Sequence, residues 1–124
     1  MSNITLSGVS KRYGAGVLAV NDIDLSIESG EFVTLVGPSG CGKTTTLRTI
    51  AGFEQPTEGS ISIGGNKVTD APPYERNTGM VFQDFALFPH MTVYENVAYG
   101  MEADGGYTAE AIDARVNEML ELVE

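Results

Sequence analysis

Basic residues are scarce in this chain. Seven Lys and Arg stand against seventeen Asp and Glu, a formal net charge of −10. Phosphate backbones select positive surfaces, so nucleic acid is not an expected partner. Cysteine is scarcer still. Cys41 is the only one, which leaves no internal disulfide and points to a reducing compartment, the cytoplasm. No apolar run approaches the ~18–20 residues that cross a bilayer. The opening "MSNITLSGVSKRYG" lacks the apolar core of a secretory signal. At 124 residues the chain has room for one domain at most, with a modest core.

The acidic excess is uneven. From Met101 to Glu124 seven acidic residues face one basic residue, Arg115, so this segment carries −6 of the −10. A solvated helix face accounts for it; adaptation to high salt is the alternative.

Against these absences stands one dense motif, "LVGPSGCGKTTTLRTI". Gly37, Gly42, Lys43 and Thr44 satisfy G-x-x-x-x-G-K-[ST]. The apolar run "EFVTLVG" before it reads as a buried strand. The helix formers from Lys43 to Ala51 after it, with Leu47, Ile50 and Ala51 on one face and Gly52 closing, read as a helix. Gly37, Gly40 and Gly42 carry no side chain, so the backbone can curl and aim several N–H groups at one anion. The helix adds its positive N-terminal end. In such a loop Lys43 reaches the β- and γ-phosphates of a nucleotide, and the Thr44 hydroxyl ligates Mg2+.

Around the motif, "NITLSGVSKRY", "VLAVNDIDLSIE" and "GSISIGGNKV" alternate in the manner of half-buried antiparallel strands, the last with Gly64-Gly65 as its turn. "TGMVFQ" reads as a short buried strand. Thr92 and Glu95 form a T-x-x-E capping box at a helix start. A last helix from about Thr108 places Ile112, Val116, Met119, Leu120 and Val123 on one face. No repeat or low-complexity segment interrupts this order. About thirty residues of alternating sequence precede the phosphate loop, whereas a small nucleotide kinase usually begins at its loop strand.

Over essentially its whole length the sequence resembles the ATP-binding subunits of ABC transporters. "KRYG" resembles the family's aromatic loop, "GPSGCGKTTTLRTIAGFEQPTEGSISIGG" its phosphate loop, helix and following strand, and "MVFQDFALFPHMTVYENVAYG" its glutamine loop and the start of its helical subdomain. The last wording is most similar to importers for polyamines, ferric iron or sugars. The resemblance implies an α/β P-loop NTPase fold with an N-terminal antiparallel β layer. Residues 1–124 would then be the N-terminal part of one ABC ATP-binding domain.

The same resemblance makes Tyr13 an adenine-stacking residue, where an ordinary half-buried tyrosine is the alternative. Gln83 becomes a catalytic contact to Mg2+ and the attacking water alongside Lys43, where a plain strand-end amide is the alternative. Ser39 and Thr45 add hydroxyl contacts to the phosphates. Cys41 also falls within the nucleotide-binding loop, as a small residue in a tight turn or as a reactive group beside the phosphates. Asp84 is expected on the loop surface. His90 does not occupy the family's switch-histidine position and is expected near the surface that meets a membrane subunit. "FALFPHMTVY" is apolar enough for core packing or for docking, and the family favours docking.

The implied partners are a second ATP-binding subunit in a homodimer, a transmembrane permease, and an external solute-binding protein acting indirectly. The expected place is peripheral, on the inner face of the membrane. Hydrolysis in this family also needs an apolar strand ending in Asp-Glu and a glycine-rich signature. Neither occurs after Gln83. The expectation is therefore the binding half of a module about twice this length. A non-transport ABC ATPase and a nucleotide-binding module without turnover are the other readings.

Overall fold

The alternating segments do form strands. The structure, a computed structural model, describes residues 1–124 and divides into two compact units, Met1–Met80 and Val81–Glu124. In the first, β1 (Ile4–Tyr13), β2 (Val17–Ile27), β3 (Glu58–Ile63) and the short β4 (Asn66–Lys67) make an antiparallel sheet in the order β2-β1-β3-β4. Cross-strand pairs Leu6–Leu25 and Leu6–Ile61 put apolar side chains level with one another across three strands. The core is Leu6, Val9, Val20, Ile61 and Val68 from the sheet and its margin, joined by Ile50 of α1 (Lys43–Ala51).

The far end of α1 is tied down by a buried cation. Arg76 is 2% exposed. Its Nη1 donates to the carbonyls of Thr49 (2.8 Å) and Ile50 (3.1 Å), its Nη2 to Thr69 (3.0 Å) and its Nε to Ala71 (2.9 Å). A helix leaves its last carbonyls without intrahelical partners, and its C-terminal end favours positive charge. Burial pushes the guanidinium below its ordinary value, with the carboxylate of Asp70 acting in the opposite direction.

Two expected strands are absent. Residues 31–37 and 78–83 form no ladder, and Phe32, Val36 and Val81 are almost fully exposed at 92%, 89% and 96%. A strand exists only as one member of a hydrogen-bonded pair, and no segment of these 124 residues lies beside either run to pair with it. Of the expected face, Ile50 and Ala51 are buried, joined by Thr46 and Thr49, while Leu47 is half exposed.

The second unit packs α2 (Val93–Asp104) against α3 (Ala109–Val123), burying Ala98 and Val116. The capping box forms as expected: the Thr92 hydroxyl accepts from Glu95 N–H at 3.2 Å, and the Glu95 carboxylate accepts from Thr92 N–H at 2.6 Å. Thr108 caps α3 in the same sense. Ile112, Met119 and Leu120 are half-buried, whereas Val123, expected on their face, is exposed.

Ile61 is wholly buried at the centre of the sheet. Ile61→Ala is expected to destabilise the first unit by about 2–5 kcal/mol, read as a lower urea midpoint; a change near zero would show that the sheet is not its core. In the second unit, the backbone and hydroxyl hydrogen bonds from Thr92 hold the Glu95 carboxyl below its ordinary value. A lowered folded value means stability that is present above the unfolded glutamate range and lost as pH falls from there through the lowered folded value. Helical signal is thus expected to fall below about pH 4, with the Glu95-dependent part missing in Glu95→Gln.

Candidate functional site

Gly42 sets the entry to α1. It is the N-cap residue at φ 91°, and a Cβ there would stand 2.2 Å from the Ala19 carbonyl oxygen of β2. Only glycine meets both conditions. The loop backbone is therefore pressed directly onto the sheet. As a cap Gly42 offers no side-chain acceptor, and no acidic residue stands in the first turn. The first-turn amides of Lys43, Thr44 and Thr45 are left open to an external anion at the positive end of the helix.

The Lys43 ammonium turns back into the loop. It donates to the carbonyls of Gly37 and Pro38 (2.8 Å to the latter) and approaches Cys41 Sγ at 3.5 Å. Cys41 is a free, exposed thiol whose sulfur would lie 2.7 Å from a Cβ at Gly37, so it covers the start of the loop. Ser39 and Gly40 form the outer turn. The Thr44 hydroxyl is on the exposed side, while Thr46 and Thr49 turn their hydroxyls inward to the carbonyls of Gly42 and Thr45. The threonine run thus has two faces. No three acidic, histidine or cysteine side chains gather anywhere to hold a metal ion, so a cation here would depend on hydroxyl and amide groups together with oxygens of its ligand.

Tyr13 ends β1 and pairs with Val17. Ala19, the residue that Gly42 touches, lies only two positions further along β2, roughly 7 Å at strand rise. The first unit therefore brings Tyr13, Gly37, Ser39, Gly40, Cys41, Gly42, Lys43, Thr44 and Thr45 to one region. Gln83 belongs to the second unit. It is exposed and opens a tight turn in which Phe85 and Ala86 both take positive φ (64° and 52°), a conformation costly for residues with side chains.

Sequence reasoning passed over Asn96. Its amide accepts from Phe88 N–H (2.9 Å) and donates to the carbonyls of Phe88, Met91 and Thr92. The loop before α2 is therefore fixed from one side chain, with the Phe88 ring against Tyr99 at 4.6 Å. Phe85, Leu87 and Val93 stay largely exposed around it, Tyr94 is partly so, and His90 is exposed. An asparagine inside a helical pattern gives no local sign of four such bonds.

Residues 20–124 match the family model described as ABC transporter. The chain belongs to this family. It is 57% identical over 124 residues to the spermidine/putrescine import ATP-binding protein PotA of Thermobifida fusca, covering 98% of this chain and 32% of that protein. It is 51% identical to the xylose/arabinose import ATP-binding protein XacJ of Haloferax volcanii, covering 98% of this chain and 31% of that protein. The chain thus spans about a third of the length of these curated relatives. Among solved structures, the ATP-binding cassette MJ0796 in a dimeric post-hydrolysis state bound to ADP and Pi superposes with a TM-score of 0.85 at 36% identity. That match covers 95% of this chain and 56% of the cassette. The expected fold class, an α/β P-loop NTPase of the ABC type, is the fold of this chain, its two missing ladders notwithstanding.

Gly42→Ala tests the contact between loop and sheet. Left-handed strain alone costs on the order of 1–3 kcal/mol, and the clash with the Ala19 carbonyl adds to it. Gly40 also has positive φ but open space around it, so Gly40→Ala is expected to cost clearly less in denaturant unfolding. Equal losses would remove the sheet contact as the reason for Gly42.

Proposed function

We propose that this chain binds ATP with Mg2+ and forms the N-terminal part of an ABC ATP-binding domain whose complete subunit hydrolyses ATP to drive solute import. The observation that carries the reading is the uncapped start of α1. There the first-turn amides, Lys43 and the exposed Thr44 hydroxyl meet at one end of a helix seated on the sheet. Membership of the ABC family and the import names of relatives sharing half or more of its residues support it.

In this reading the amides of residues 40–45 cradle the phosphates and Lys43 exchanges its loop carbonyls for β- and γ-phosphate oxygens. Ser39 and Thr45 add hydroxyl contacts, and Cys41 borders the bound phosphates. Tyr13 stacks on adenine. Thr44 and Gln83 hold Mg2+, which neutralises charge developing on the transferred phosphoryl group. Gln83 also orients the attacking water. The apolar side chains around the Asn96-fixed loop form a docking surface for a transmembrane permease. Two such subunits act together as a homodimer at the inner face of the membrane, and an external solute-binding protein supplies the substrate to the permease. No helix in the chain is long and apolar enough to cross the membrane itself.

Phosphoryl transfer also needs a positioned carboxylate, and no Asp-Glu strand end follows Gln83 in these residues. Purified residues 1–124 are expected to bind ATP and release phosphate no faster than background, while a chain of its relatives' full length hydrolyses ATP and gains rate with a permease. Lys43→Ala is expected to abolish or severely weaken ATP binding, and saturating ATP to slow alkylation of Cys41. Robust phosphate release by residues 1–124, lost with Lys43→Ala, would overturn the division of labour. Unchanged ATP affinity in Lys43→Ala would overturn the site.

A further inference from the structure

Tyr13 is the last residue of β1, where the pairing with β2 is irregular: the register shifts between Val9 and Lys11 and again between Lys11 and Arg12. The ladder alone is a poor constraint on a ring at such a position. A second constraint comes from Lys11, two residues earlier in the strand. Its ammonium lies 5.1 Å from the centroid of the Tyr13 ring, within the ~6 Å reach of a cation–π contact.

The ammonium is itself held from behind. It donates to the Gln55 carbonyl at 2.7 Å and pairs with Glu54 Oε2 at 3.3 Å, with the lysine side chain only 15% exposed. The segment supplying those partners is stapled to β1 in turn, through Thr57 N–H to the Ser10 carbonyl (2.8 Å) and Arg12 N–H to Thr57 Oγ1 (2.9 Å). It also leads straight out of α1, where Glu54 N–H reaches the Arg48 carbonyl at 3.3 Å. One face of the Tyr13 ring is therefore occupied by a fixed cation, while Tyr13 remains 38% exposed.

We propose that Lys11 is a positioning residue for the nucleotide base: by occupying one face of Tyr13 it holds the ring so that the opposite face is ready to stack. The proposal rests on the adenine-stacking reading of Tyr13. Its physical content is preorganisation. A ring already ordered in the free protein does not lose its rotamer freedom again on binding, a cost that for one side chain corresponds to about two- to tenfold in affinity.

The test compares ATP with inorganic triphosphate, which has no base, in the full-length subunit carrying this sequence. Lys11→Met is expected to weaken ATP about two- to tenfold and leave triphosphate unchanged. Lys11→Arg, which keeps the cation, should hold ATP affinity within about twofold. Added to Tyr13→Ala, Lys11→Met should cause no further loss, because the ring it positions is gone. Equal losses for both ligands, or full additivity with Tyr13→Ala, would overturn the role of Lys11. If Tyr13→Ala itself weakens ATP and triphosphate equally, the stacking reading fails and the proposal with it. Should Lys11→Met not melt cooperatively, Glu54→Gln carries the test: it loosens the ammonium without removing it and should give a smaller loss confined to ATP. No loss, or a loss with both ligands, counts against the proposal.

Discussion

The first unit depends on one buried guanidinium. Arg76 reaches carbonyls at the C-terminal end of α1 and in the segment after β4 with three of its nitrogens, across a separation of 27 residues in the case of Thr49. A planar fork with five donors suits several carbonyls at once, which a lysine ammonium cannot match in geometry. Because α1 is only nine residues long, holding one end sets the direction of the other. The phosphate-loop end is thus aimed by a residue that touches nothing in the loop.

At that other end the constraint is steric. Gly42 lies against a β2 carbonyl, so the loop cannot rise from the sheet without losing its seat. The core between the two ends is small, with Ile50 the helix's main apolar contribution. A hydrogen-bonded clamp and a close backbone approach therefore do much of what a larger apolar interface does elsewhere. The chain that carries this loop belongs to the ABC family, and the solved cassette shares its fold.

Elements with local signals were legible from the sequence. The glycine-closed α1, the Thr92–Glu95 box, the helix start near Thr108 and the alternating strands each carry their own cause within a few residues. What stayed hidden is set by partners distant in sequence. Residues 31–37 and 78–83 have strand-like composition, but composition cannot supply the neighbour that a ladder requires. Arg76, Lys11 and Asn96 were missed for the same reason. Each reads as an ordinary polar residue until the fold brings its acceptors or its ring within reach. Of the candidate site, the phosphate-loop residues were readable because one continuous stretch contains them all, while Gln83 lies on a separate unit.

The four hydrogen bonds of Asn96 have a bearing on association rates and energies. A loop whose carbonyls and amide are already satisfied by its own helix has little left to freeze when something settles on it. The exposed aromatic and aliphatic groups of this loop are thus carried on a backbone ordered in advance, and any contact made on them would spend little entropy on that backbone.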